Sequence, residues 1–360
     1  MKLKSLLLGS AAALVAFSGA RAADAVIAEP EPVEYVRVCD AYGAGYFYLP
    51  GTETCLKIGG FVRYQIDVKT GDDTWGKTTQ ANLTFSAKSD TEMGTLEGFV
   101  ELTDVAGDTV RATRATFFTV DGELTDFSAV PVDIANGMGI DSAYISLGGL
   151  KMGWIDNAFD GGIVSEVDGL GGSKGNTIQY TFASGGFDAT VALDHAGSAD
   201  TNFVPNVSAN AGFSAGAVAV RAFAAYDEED DSFAAKLRVG ADVTEGGRFE
   251  AAVAYSGSSN NYSFNAAEWT IAAGYSQKVS DQITVAVGAQ YWSDVSAKVL
   301  GAATNPANGA FTGETGFSVG GHVDWTPVTN FLVRAQVSYT DFSTPADGVF
   351  AGRLRFQRSF

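Results

Sequence analysis

Residues 58–68 have the sequence IGGFVRYQIDV, in which two kinds of side chain alternate. Val62 and Tyr64 fall on one face of an extended chain, and Arg63 and Gln65 fall on the other. Alternation with a period of two predicts a β-strand that has one apolar and one polar side. This stretch sets the pattern for the rest of the chain.

The same alternation recurs to the end of the sequence. We predict sixteen strands, at 58–68, 78–89, 94–103, 140–147, 150–156, 176–183, 187–194, 203–213, 216–226, 232–243, 247–256, 267–278, 282–292, 314–325, 329–340 and 348–360. Tight connections such as GG and SGG alternate with connections that are usually longer. An even number of strands with short turns at one rim and longer loops at the other predicts an all-β, 16-stranded antiparallel transmembrane β-barrel.

Aromatic residues fall on the apolar face at both predicted rims. One group lies near the long loops and comprises Tyr226, Tyr255, Tyr291 and Tyr339. The other lies near the short turns and comprises Phe249, Trp325, Phe331 and Phe360. Two aromatic girdles around an apolar band are typical of a barrel whose outer face meets lipid. The polar face then lines a bore, which at sixteen strands is wide enough to hold water.

The N-terminal part divides into two segments ahead of the barrel. Residues 1–22 combine a basic start, an apolar run and a small-x-small site, which predicts a secretory signal peptide. Residues 23–57 form an N-terminal extension with a Cys-bounded loop, and 58–360 form the barrel. Removal of the signal peptide moves the net charge from −19 to −22, because that segment carries three basic residues and no acidic one. So acidic a chain is a poor ligand for nucleic acid.

Two cysteines, Cys39 and Cys55, follow the predicted signal peptide. The oxidising compartment and the short loop between them favour a disulfide bond. Closing such a loop contributes about 3 kcal/mol in the chain-entropy model. A metal site is not predicted, because His195 and His322 lie far from both cysteines in sequence.

Residues 157–175, NAFDGGIVSEVDGLGGSKG, are predicted to fold into the bore and narrow it. Six of these nineteen residues are glycine, so neither a helix nor a strand is favoured. Long irregular segments inside a compact fold are usually functional. The segment carries the acids Asp160, Glu166 and Asp168. The alternative is an ordinary surface loop.

Basic side chains on the polar face are expected to line the bore opposite these acids. They are Arg63, Arg221, Lys236, Arg238, Arg334, Arg353 and Arg355. Charges across a narrow gap with low-dielectric walls focus the electric field, and selectivity follows from these charges and the pore diameter. The alternative is that some of these side chains pair with neighbouring acids for stability.

Other functions have less support in the sequence. The acidic run at 227–231 is either a solvated external turn or a site for divalent cations shared with lipid phosphates. Catalysis is not predicted, because neither histidine has an identifiable nucleophile nearby and no P-loop lysine follows the glycines. An adhesin-type barrel, with external loops that bind a partner, and a substrate-selective channel are the alternatives.

The stretch CDAYGAGYFYLPGTETCLKIGGFVRY resembles the general porins of alphaproteobacterial outer membranes. EPEPVEYVRV before it, AYISLGGLKMGWIDNAFD at 143–160 and the terminal RLRFQRSF extend the resemblance over essentially the whole mature chain. It implies a homotrimer, without a cofactor, for passive diffusion of ions and small hydrophilic solutes. It also implies that the loop after the fifth strand enters the bore.

The resemblance further implies an outer-membrane location with lipid and lipopolysaccharide as surroundings. The C-terminal aromatic of that family is recognised by the barrel-assembly machinery, and Phe360 matches it. Beyond Asp160 the loop departs from the family, because it is short and rich in glycine. The long stretch 104–139 is expected to fold over the mouth or to contact a neighbouring subunit.

Overall fold

Antiparallel strands make up most of the chain in the computed structural model. It describes residues 37–71, 74–107, 118–120, 123–126, 138–165, 167, 169–195, 203–263, 267–296, 311–343 and 347–360. The predicted signal peptide, residues 23–36 of the predicted extension, and the acids Glu166 and Asp168 lie outside these ranges. No helix within them has the length and apolarity needed to cross a bilayer.

The strands are β1 (Phe47–Tyr48), β2 (Cys55–Lys69), β3 (Gly76–Thr91), β4 (Gly94–Gly107), β5 (Phe118–Val120), β6 (Glu123–Asp126), β7 (Gly139–Leu147), β8 (Leu150–Asp156), β9 (Lys174–Ser184), β10 (Phe187–His195), β11 (Asn206–Ala215), β12 (Val218–Asp227), β13 (Ser232–Thr244), β14 (Gly247–Ser256), β15 (Ala267–Lys278), β16 (Ile283–Val295), β17 (Thr315–Val328), β18 (Phe331–Phe342) and β19 (Val349–Ser359). A 3₁₀ turn at Asp40–Tyr42 precedes them in the described part of the chain.

Sixteen of the described strands, β2–β4 and β7–β19, form one closed antiparallel ring. Each pairs with the next along the chain, and the ring closes where β19 pairs with β2, with Arg355 opposite Gln65. Strands β5 and β6 pair with each other in a separate two-stranded sheet. The predicted sixteen-stranded antiparallel barrel is therefore confirmed, with each strand end within four residues of its predicted position.

The two faces of each barrel strand carry different chemistry. On β13, Phe233 and Leu237 are 54% and 44% exposed, whereas Ala234 and Lys236 between them are buried. Large apolar side chains on the outside and polar ones on the inside are the reverse of a soluble domain. The outer surface is therefore suited to lipid, and the inner face bounds the lumen.

A belt of aromatic rings follows the rim at the long loops. The ring of Tyr255 lies 5.3 Å from that of Phe233 and 4.8 Å from that of Trp269. At the same rim, the ring of Tyr339 lies 4.5 Å from that of Phe350. Amphipathic rings at this level are typical of the boundary between lipid headgroups and hydrocarbon.

The disulfide Cys39–Cys55 is present and joins the first described residues to the start of β2. Both cysteines are buried against Tyr46. The hydroxyl of Tyr46 lies 2.8 Å from Ser86 Oγ, on the inner face of β3 near the short-turn rim. The Cys-bounded loop thus packs against the inside of the barrel wall at that end.

Candidate functional site

The chain between β8 and β9 turns into the lumen. We call residues 157–173, in their described parts, the inward segment. Its first and last residues, Asn157 and Ser173, are bonded to each other, and we call this crossing point the neck. The backbone N–H of Asn157 donates to Ser173 O over 2.9 Å, and its side-chain amide donates to Ser173 Oγ over 2.8 Å. Asn157 Oδ1 also accepts the N–H of Phe159 at 3.1 Å. Asn favours a turn in which its side-chain oxygen accepts the N–H two residues on, and this turn directs the chain from the strand ends into the lumen.

The inward segment then crosses the inner face of the barrel. Near its start, Ala158 N–H donates to Ser208 Oγ on β11 over 3.0 Å. Further along, Gly169 exchanges two hydrogen bonds of 2.7 Å with the side-chain amide of Gln290 on β16. Ile163 and Leu170 pack against the inner face between these points. The described residues of the segment therefore lie along the wall from β11 to β16.

Lys236 on β13 fastens the segment to this wall. Its ammonium donates to Phe159 O at 2.8 Å, Gly161 O at 2.9 Å and Leu170 O at 3.2 Å. The same Nζ lies 4.6 Å from the ring centroid of Phe159 and 4.5 Å from that of Phe223. A buried ammonium is stable only when its donors are used, and here backbone carbonyls and two ring faces accept them. Lys236 is on the inner face, as predicted, but is only 3% exposed because the segment covers it.

A shallow groove of glycines lies beneath the middle of the segment. Gly274 on β15 is opposite Gly288 on β16. A Cβ added at Gly288 would be 2.5 Å from Ser165 Cβ, and one added at Gly274 would be 3.1 Å from the same atom. The absence of side chains at these two positions therefore lets the segment lie close to the wall.

Replacing Gly288 with Val is expected to push the inward segment towards the centre of the lumen. Overpacking of this kind costs about 1–3 kcal/mol. The single-channel conductance of the folded variant in a planar bilayer should fall, because the bore is narrower. Gly98→Val on β4 is the matched control, since a Cβ at Gly98 would meet nothing within 4 Å. An unchanged conductance in Gly288→Val would contradict the position of the segment.

Asp160 is the acid of the inward segment that the structure describes. Its side chain is exposed, and Gly172 lies against it at the neck. Partial loss of solvent raises the pKa of its carboxyl above the ordinary value, and the negative charge of Asp156 adds to this effect. The positive charges of Lys236 and Lys174 act in the opposite direction.

Four of the predicted basic residues form a second feature, which we call the Arg wall. It consists of Arg63 on β2, Arg334 on β18, and Arg353 and Arg355 on β19. The strand register places Arg334 opposite Arg355 and places Arg63 opposite Gln357. Strand pairing therefore brings these side chains together from positions that are far apart in sequence.

Two carboxylates of the described residues pair with the Arg wall. Arg334 donates two hydrogen bonds to the carboxylate of Asp324, at 2.6 Å and 2.7 Å. Arg353 Nε donates to Asp67 Oδ1 over 2.7 Å, and Asp67 is 2% exposed. Arg355 Nε donates to the neutral Gln65 Oε1 at 3.0 Å. Among the described residues, four guanidinium groups stand beside two carboxylates, so these six side chains together carry a net positive charge.

The strand register connects the Arg wall to the part of the barrel wall beneath the inward segment. Gly288, beneath the segment, is opposite Gly320 on β17. One inward-facing position closer to the short-turn rim, His322 is opposite Gln336, and Gln336 is opposite Arg353. Along the register, Arg353 therefore lies three strands from Gly288 and two residues nearer the short-turn rim.

The remaining predicted bases lie beside the inward segment. Arg238 on β13 donates to Gly162 O. Arg221 on β12 donates to both carboxylate oxygens of Asp188, at 2.6 Å and 2.7 Å. The seven predicted bases are thus divided between two places, with three on the wall that carries the segment and four in the Arg wall.

The structure also describes the C-terminal aromatic residue and the acidic turn that the sequence analysis singles out. Phe360 exchanges backbone hydrogen bonds with Gly60 on β2 at 3.1 Å and 3.3 Å, and its ring is exposed. In the acidic turn, Asp227 is buried and accepts the N–H of Asn261 over 2.7 Å. Within the described ranges, no three Asp, Glu, His or Cys side chains are grouped as metal ligands.

Sequence patterns missed the residues that hold the inward segment from other loops and strands. Tyr262 lies between β14 and β15 and is completely buried against Phe159. Gln290 is an ordinary polar-face residue by its spacing. Neither has a local signal, because each acquires its contact from a segment that is about one hundred residues away in sequence.

Comparisons with known proteins agree with this architecture. Residues 24–353 match the family model described as "Porin subfamily". Porin Omp2a of Brucella suis is 35% identical over 398 residues, and porin Omp2b of Brucella abortus is 36% identical over 400 residues, with all of both chains covered in each case.

Solved structures of outer-membrane barrels share the fold. A loop L8 deletion mutant of OmpT, an outer membrane protein of Vibrio cholerae, has a TM-score of 0.59 at 13% identity and covers 86% of this chain and 100% of its own. A mutant of Rh. blastica porin has a TM-score of 0.56 at 12% identity and covers 85% of this chain and 100% of its own.

Proposed function

The chain belongs to the porin subfamily, and we propose that its inward segment and its Arg wall together form the constriction of the channel. As a porin, the protein is an outer-membrane channel for diffusion of small solutes. The observation that carries the proposal is the course of the inward segment, which follows the inner face of a closed ring from β11 to β16. A segment in that position reduces the open cross-section of the bore.

The proposed constriction has opposite charges on its two sides. Asp160 belongs to the inward segment, and Glu166 and Asp168 are predicted to add to its negative side. The Arg wall supplies the positive side. Charges that face each other across a narrow aqueous gap act in a field focused by the low-dielectric wall. Solute size and solute charge would then both be sorted at this level.

We also propose a homotrimer that has no catalytic activity. Support for the trimer comes from a related fold, since a structure of OmpT of Vibrio cholerae is described as the trimer form. The family membership supports a channel rather than an enzyme. The proposed surroundings are outer-membrane lipid and lipopolysaccharide. The exposed ring of Phe360, at the end of the last strand, is proposed as the signal for the barrel-assembly machinery.

Planar-bilayer recording of the folded wild-type protein tests this proposal. We expect current steps in groups of three, because each assembly inserts three parallel bores. Heat-dissociated protein that is refolded and separated as a monomer should give single steps. Absence of conductance would contradict the channel, and single steps from the native assembly would contradict the trimer.

A further inference from the structure

A second segment, residues 257–263 after β14, folds back into the mouth of the barrel. Asn260 is buried, and its amide donates to Ser232 Oγ at 3.1 Å and Ser256 Oγ at 3.0 Å. The N–H of Asn261 donates to Asp227. These contacts tie the segment to the inner faces of β12, β13 and β14. It is therefore a fixed part of the lumen rather than an open external loop.

Tyr262, in this second segment, contacts both ends of the inward segment. Its ring lies 5.8 Å from the ring of Phe159 in an edge-to-face arrangement, near the start of the inward segment. Its carbonyl accepts the N–H of Gly172, near the end of the inward segment, at 3.1 Å. The side chain of Tyr262 is completely buried. One residue thus joins the two arms of the inward segment at its neck.

The hydroxyl of Tyr262 fixes this arrangement to the barrel wall. It donates to Asp194 Oδ2 on β10 over 2.9 Å. Asp194 is 1% exposed and also accepts the hydroxyls of Thr177 on β9, at 2.9 Å, and Ser208 on β11, at 2.5 Å. A buried carboxylate needs such donors, and hydrogen bonds to a charged acceptor are short and strong. The network is therefore a rigid anchor on the wall.

We propose that Tyr262 is a positioning residue that holds the inward segment in place and thereby keeps the open channel steady. The inference rests on the proposed function of that segment as the constriction. The inward segment has five glycines among its seventeen residues and no helix or strand in its described part, so it depends on outside contacts for its position. Lys236 and Gln290 hold it from the barrel wall, whereas Tyr262 holds it from another loop.

Tyr262→Phe tests this inference because it keeps the ring on Phe159 and removes the hydroxyl. We expect the mean open conductance to stay near that of the wild type. Brief closures should become roughly ten- to a hundredfold more frequent, which is the range that corresponds to losing a net hydrogen bond to a charged group. The voltage that closes the channel should also fall. Measurement uses single-channel traces of the full-length assembly in a planar bilayer.

Tyr226→Phe is the matched control for this substitution. It also removes a hydroxyl that donates to a carboxylate, since Tyr226 binds Asp231 Oδ1 at 2.7 Å at the same rim. Tyr226 lies on the outer face, with 43% of its surface exposed, and not in the lumen. Its traces should match the wild type. The temperature at which each variant loses its folded electrophoretic band checks that the barrel is intact.

A double-mutant cycle separates the anchor from a general loss of structure. Asp194→Asn weakens the same bond from the other side and provides a second test if Tyr262→Phe inserts poorly. If Tyr262 acts through Asp194, the double variant should close little more often than either single variant. Additive effects, or wild-type traces from both single variants, would overturn the inference. If the variant that lacks residues 161–172 conducts as the wild type does, it is instead the proposed constriction that fails.

Discussion

Deleting residues 161–172 is expected to raise the single-channel conductance by roughly twofold or more, since pore diameter is what limits passage. These residues include the part of the inward segment that passes over Gly288 and reaches Gln290. The new junction would join Asp160 to Ser173. Little strain is expected there, because Gly172 packs against Asp160 and Asn157 is hydrogen-bonded to Ser173 across the neck.

The same variant should admit larger solutes. Swelling of liposomes in sugars of increasing size measures this directly, and the size at which swelling stops should increase. Deletion of an equal number of residues at 298–309, in the connection between β16 and β17 that the sequence predicts to be an external loop, is the control for shortening a connection. If the shortened inward segment left both conductance and size limit unchanged, the segment would not be the constriction.

Arg355→Glu is expected to shift ion preference towards cations. In water, unit charges about 4 Å apart interact by about 1 kcal/mol, so replacing a positive by a negative charge changes the energy of a passing ion by up to about 2 kcal/mol. Screening reduces this, because the Debye length is about 10 Å at 0.1 M salt. The ratio of cation to anion permeability should therefore rise several-fold at 0.1 M salt and less at 1 M.

Arg355 suits this test better than its neighbour Arg353. Arg353 is bonded to Asp67, which is buried, so a glutamate there would place two carboxylates together. Breaking a buried ion pair in this way costs about 3–5 kcal/mol, and we expect poor folding. Arg355 donates to the neutral Gln65, so its replacement leaves no such charge behind at that contact.

Reversal potentials across a salt gradient measure the shift. Arg358→Glu is the control, because Arg358 is on the same strand but is exposed on the outer face and donates to Asn330 O near the short turn. That variant should retain the wild-type reversal potential. Equal reversal potentials for Arg355→Glu and the wild type would place the Arg wall away from the narrowest point.

Alternation was enough to predict the barrel, because lipid outside and water inside impose opposite chemistry on successive residues. The deviations have local causes. The predicted strand starts at residue 203, but β11 begins at Asn206, since Pro205 has no N–H for the ladder. The turn predicted at 326–328, between the strands 314–325 and 329–340, lies at 329–330, where Asn330 adopts a positive φ of 64° that suits a tight turn.

The site was predictable only in part. Spacing placed Lys236 and Arg334 on the same polar face, and both are there. Spacing could not show that the inward segment covers Lys236, because that depends on where an irregular, glycine-rich segment comes to rest. The anchor at Tyr262 depends on Asp194, sixty-eight residues away, and no periodic pattern records such a pair. The sequence therefore predicts that the inward segment enters the bore, but only the tertiary contacts show which residues hold it there.

The pairing of β19 with β2 has a consequence for biogenesis. Arg63 and Gln357 meet at this seam although 294 residues separate them along the chain. The entropy of closing so long a loop opposes the seam by roughly 5 kcal/mol on a logarithmic scale of loop length. Until the last strand arrives, β2 presents an unpaired edge that invites aggregation. A polypeptide truncated before β19 should thus be cleared by periplasmic proteases rather than accumulate as a shorter barrel.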